Sequence, residues 1–77
     1  MRPTLVKLVY DVDYVEELKE RGQRGAFKAM AFLFYLHNLE LGLHESTRYY
    51  ADVWGVSKAT SWAWLKEFDS VINGEIR

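Results

Sequence analysis

From Ser46 to Phe68 the chain reads STRYYADVWGVSKATSWAWLKEF, the punctuation of two short helices joined by a tight turn. Gly55 stands where the first helix must stop and the backbone needs a residue tolerant of positive φ. Ser57, two residues on, is a natural N-cap for the helix that follows. Val56 between them can plug the angle between the helices. Ala51, four residues before Gly55, is small where a second helix would cross closely, and Trp64 and Leu65 are large where that helix needs core contacts. Ser46 or Thr47 can cap the first helix, and the second is expected to run from Lys58 to about Ile72 with Ser61, Trp64, Leu65, Phe68 and Ile72 facing inward.

Ahead of this unit, Thr4 to Tyr10 (TLVKLVY) is rich in β-branched residues and is expected to form a short strand. A helix is the runner-up, because Leu5, Leu8, Val9, Val12, Val15 and Leu18 also fit a helical stripe; Pro3 and the density of Val favour the strand. Asp11 or Asp13 can cap a helix with Glu16 and Glu17 in its first turn and Lys19 and Arg21 in its last, ending near Arg21. Gly22-Gln-Arg-Gly25 reads as a polar turn. Ala26 to Leu41, free of Gly and Pro, is then the longest helix. Phe27, Met30, Phe34 and Leu41 lie along one stripe, with Ala31, Leu33, Tyr35 and Leu36 widening it almost all round, which marks it as the central core helix. Gly42 ends it and Leu43 to Glu45 link it to the helix pair. After Ile72, Asn73-Gly74 is a turn, and Glu75 to Arg77 either begin a β-hairpin or pair with the unpaired edge of the N-terminal strand, the second being favoured.

The expected fold is therefore mostly α: one small domain, residues 1–77, with a short N-terminal β-strand paired with the C-terminus. A chain of 77 residues buries only roughly 60% of its unfolded surface and is marginal alone, so dimerisation would help. With 49% hydrophobic residues it is too apolar for disorder. The absence of Cys excludes disulfides and thiolate metal sites, and His37 and His44 lie seven apart with no carboxylate-rich cluster, so no metal, cofactor or redox chemistry is indicated. The apolar run from Ala29 to Leu36 is far short of the roughly 20 residues that span a bilayer, and no basic, apolar, small-residue signal precedes the fold. A soluble cytoplasmic protein without a membrane partner is expected.

Ala51, the Gly55-Val56-Ser57-Lys58 stretch and the Trp64-Leu65 pair resemble the helix-turn-helix of bacterial and phage DNA-binding proteins, over about a third of the chain. More narrowly, YADVWGVSK resembles the start of the winged-helix domains of phage and plasmid replication initiators, where a Trp-Gly pair often precedes the recognition helix. At Ser61 the chain departs from the Val or Ile usual in the family. The resemblance implies binding of double-stranded DNA, as a transcription regulator or replication factor, with the recognition helix in the major groove. A helix lying there presents its N-terminal residues to base edges. Ser57 and Thr60 can then hydrogen-bond bases or phosphates, Ala59 and Ala63 can approach thymine methyls, and Lys58 can reach guanine or the backbone, with Lys66 on the same side. Arg48 and Tyr49 are placed to touch phosphate, an ion pair of Arg48 with Glu45 or Asp52 being the alternative. Trp62 falls away from the inward stripe, and its roles would be packing on a neighbouring helix, which ranks first, stacking on a sugar or unstacked base, or a dimer contact.

A net charge of −1 is unusual for a DNA-binding domain. Arg48, Lys58 and Lys66 nonetheless gather on the groove side, with Glu67 and Asp69 directed elsewhere, and so few cations imply a homodimer reading two half-sites. The competing class is a protein-interaction module on the same scaffold, because Tyr10, Tyr14, Tyr35, Tyr49, Tyr50, Trp54 and Trp62 exceed what so small a core can hide. No nucleophile, base and orienting group recur at a meaningful spacing, and His37 reads as a core or surface group, so an enzyme is not expected.

Overall fold

The computed structural model describes residues 12–74, and these form four helices: α1 (Val12–Glu20), α2 (Gln23–Glu40), α3 (Thr47–Trp54) and α4 (Lys58–Asn73). The mostly helical expectation holds. No strand occurs among the described residues, and the expected strand at 4–10 and its C-terminal partner at 75–77 lie outside them. α1 carries Asp13 in its first turn and Lys19 in its last, as the helix dipole favours.

The connection between α1 and α2 is shorter than the four-residue turn expected, because only Arg21 and Gly22 lie between the helices and Gly25 sits in the first turn of α2. Gly22, at φ 100°, reverses the chain. Gly25 is there for space: a Cβ at this position would stand 1.7 Å from the Leu18 carbonyl oxygen and 2.9 Å from the Arg21 Cβ. The start of α2 thus rests backbone to backbone on the end of α1.

That close approach also rotates α2 away from the expected stripe. Its buried line is Gly25, Ala29, Phe32 and Leu36, while Phe27, Met30 and Leu41 are 42%, 67% and 60% exposed. Apolar residues surround this helix, so periodicity alone defines no unique inward face, and the small residues that permit contact with α1 decide it. α2 ends in a Schellman motif: Gly42, at φ 78°, donates its N–H to Leu39 O at 3.0 Å, and Leu43 donates to Asn38 O at 2.9 Å.

Phe68 of α4 is the centre of the core. It is fully buried, and its ring lies 5.1 Å from Phe32, 6.0 Å from Trp54, 6.1 Å from Tyr35, 6.4 Å from Trp64 and 6.5 Å from Tyr14. All four helices therefore meet on one side chain. Tyr14, Tyr50 and Trp54 are buried in the same cluster, so these aromatics do not overflow the core as the composition suggested; Tyr10 lies outside the described residues. Asn38 on α2 is buried too, and its Nδ2 donates to the Tyr50 hydroxyl at 3.1 Å, which fixes α3 against α2.

Candidate nucleic-acid interface

The unit from Ser46 to Asn73 is built from caps. Ser46 Oγ accepts from the Tyr49 amide at 3.1 Å and starts α3, and Gly55 at φ 70° ends it in the left-handed region. Val56 donates its N–H to Ala51 O at 3.0 Å and packs its side chain against the core. Ser57 Oγ accepts from the Thr60 amide at 3.1 Å and starts α4. The inward residues of α4 are those the spacing predicts, Ser61, Phe68 and Ile72 buried and Trp64 and Leu65 half-buried, joined by Val71.

Ser61 has a positive reason to be a serine. It is fully buried, and its hydroxyl donates to the carbonyl of Thr47, the first residue of α3, at 2.9 Å. That oxygen keeps a lone pair beyond its helical bond, so Ser61 ties the two helices together by a hydrogen bond where Val or Ile would do so by contact alone.

Lys58, Ala59, Trp62, Ala63 and Lys66 are all exposed, and their spacing places them on one side of α4. Arg48 and Tyr49 are exposed at the start of α3. Thr60 is only half-buried and its Oγ1 accepts a 2.9 Å hydrogen bond from Ser57 Oγ, so these two hydroxyls hold the cap rather than stand free. Trp62 is 57% exposed, with Lys66 Nζ 5.2 Å above its ring, and it borders a cleft together with Thr47 and Tyr50 of α3.

The charges around this surface are sorted by long-range contacts. Among the described residues, Arg48, Lys58 and Lys66 make no ion pair, including none of Arg48 with Glu45 or Asp52. Glu67 is turned away: its carboxylate accepts from Lys28 Nζ on α2 at 2.8 Å and from the Tyr14 hydroxyl on α1. Burial alone would raise the Glu67 pKa, but the hydrogen bonds from Lys28 and Tyr14 outweigh it and hold the group below the ordinary carboxylate value. Asp69 accepts from the Tyr35 hydroxyl at 2.5 Å. Burial, then the bonded carboxylate, raises both the Tyr14 and Tyr35 hydroxyls, which remain protonated donors. Asp69 is not directed elsewhere, as the spacing suggests: with Glu45 it borders the cleft that Trp62 and Lys66 line, so the surface turns acidic toward its C-terminal half. The cations exposed on this side are Lys58 at the start of α4, Arg48 at the start of α3 and Lys66 beside the acidic cleft.

The partners Tyr14, Lys28 and Tyr35, and the Asn38–Tyr50 bond, were not legible in the sequence. They join residues 12 to 53 positions apart, and no local pattern marks such pairs. Among the described residues no group of three or more His, Asp or Glu side chains is placed to hold a metal ion, and no helix is long and apolar enough to cross a membrane. No protein-family model matches the chain, and neither a curated protein nor a solved structure matches it.

Proposed function

We propose that the protein binds duplex DNA through α4, on a helix-turn-helix scaffold of winged-helix type, as a regulator or replication factor acting in pairs on two half-sites. The observation that carries this reading is the distribution of charge. Among the described residues Lys58, Lys66 and Arg48 are exposed and form no ion pair, while Glu67, the acid nearest in sequence to Lys66, is drawn inward by Lys28 and Tyr14. Three cations on this surface per chain, in a molecule of net charge −1, suit weak phosphate attraction by one copy and useful attraction by two. Ala59 and Ala63, without bulk, let the helix approach base edges. Trp62 is exposed beside them for stacking on a sugar or an unstacked base.

The test is fluorescence anisotropy of a labelled random-sequence duplex titrated with the full chain at low and moderate salt, beside a Lys58→Ala/Lys66→Ala variant. Salt-sensitive binding that the variant loses is expected. Its absence at low salt, with the protein folded, would favour a protein partner instead.

A further inference from the structure

The longest helix leaves an apolar face open. Phe27, Met30 and Leu33 of α2 are 42%, 67% and 46% exposed, and Leu41 and Leu43 just beyond it are 60% and 40% exposed. At roughly 200 Å² for a full side chain, these amount to on the order of 500 Å², the upper end of what a monomer leaves uncovered. Two copies would bury about twice that, near the lower limit for a specific protein interface.

The pattern on this face is self-complementary. Gln23, Ala26, Met30, Leu33, His37 and Glu40 recur at alternating spacings of three and four, the seam along which two helices pack. Phe27, Phe34 and Leu41 follow on one flank at the same repeat. When two such helices run antiparallel, the two seam positions of the repeat face each other. Met30 then lies beside the partner's Leu33, Ala26 beside the partner's His37 and Gln23 beside the partner's Glu40.

This register also completes something that α2 lacks. Among the described residues, Gly22 precedes the helix with no side-chain cap bond, and the first turn of α2 contains no acidic residue, so its leading amides are left without a cap of their own. The antiparallel arrangement brings the partner's Glu40 level with that turn, once at each end of the pair. In a parallel arrangement the Glu40 side chains would meet each other.

We propose that this face is where a second copy of the chain docks, α2 antiparallel to α2, with Met30 and Leu33 at its centre and Glu40 over the helix start of the opposite copy. This supplies the pairing that the two-half-site reading requires, yet it stands on α2 and not on α4, so it is tested without DNA. Sedimentation equilibrium of the full chain across the micromolar range is expected to show a monomer–dimer equilibrium. Met30→Glu and, separately, Leu33→Lys put a charge on the seam at exposed positions and are expected to weaken the dimer roughly tenfold or more, with the helical circular dichroism unchanged. The double variant Met30→Glu/Leu33→Lys places opposite charges side by side across the antiparallel pair and is expected to recover most of the association. A chain that stays monomeric throughout, a dimer indifferent to Met30→Glu, or a double variant no better than the singles would overturn the proposal. Lys58→Ala/Lys66→Ala should leave the dimer intact, so loss of DNA binding and loss of pairing are read separately.

Discussion

At the scale of single residues, positions are decided by what touches them from far along the chain. Gly25 has the composition of a turn residue and the surroundings of a packing residue. Gly25→Ala must push the end of α1 aside, because the Leu18 carbonyl is backbone and cannot rotate away. A loss of about 2–3 kcal/mol in urea unfolding is expected, whereas an ordinary helical Gly→Ala exchange would stabilise. Ser61→Ala should cost about 1 kcal/mol by removing the bond to Thr47, with no change in helix content.

Glu67 gives a pH dependence whose direction follows from its partners. Unfolded, it titrates near the ordinary 4.5; folded, it titrates lower. Between the two values the unfolded chain binds more protons, so the stabilisation present above 4.5 is lost as pH falls through the folded value. Thermal melts of Glu67→Gln should therefore lie below those of the parent near neutrality and converge with them under acid. A constant offset down to the lowest pH would show that the carboxylate charge is not what matters.

At the scale of elements, the caps set where helices begin, and they were readable because capping is local. Ser46 and Ser57 each bond an amide three residues ahead, and Gly55 adopts the positive φ its position requires. Ser57→Ala is expected to cost about 1 kcal/mol, and Ser57→Asp to restore most of it. Because Ser57 also orders the start of α4, the alanine variant should weaken DNA binding, and the aspartate variant should weaken it further through charge even though the fold recovers. Denaturant midpoints and anisotropy on the same variants separate the two effects. The start of α2 lies three residues before the expected Ala26 for the opposite reason: with no side-chain cap at Gly22 there is no local signal to read.

At the scale of the whole molecule, one ring holds four helices. Phe68→Ala should cost about 3–5 kcal/mol, against a total stability on the order of 5 kcal/mol for so small a domain, and should leave much of the protein unfolded at 37 °C by circular dichroism. The electrostatic prediction belongs to this scale as well. Removing Lys58 and Lys66 together should reduce the salt slope of DNA binding by about 2 per chain, roughly 0.9 for each phosphate no longer neutralised.

The sequence by itself determined what depends on neighbours a few positions away: the helical composition, the stop at Gly55, the start at Ser57 and, to within Ser46 or Thr47, the start before it, and the outward side of α4, since i to i+4 spacing places Lys58, Trp62 and Lys66 together. It could not choose the face of α2, where apolar residues surround the helix and only the close contact of Gly25 with Leu18 selects among them. Nor could it hide Tyr14, Tyr50 and Trp54 or name the partners of Glu67, whose direction away from Lys66 the spacing does give, because those outcomes need Phe68, Lys28 and Asn38 delivered from other helices. Local conformational preference was written along the chain; the sorting of aromatics into the core, and the pairing of Glu67 with Lys28 and Tyr14, required tertiary packing to bring distant groups together.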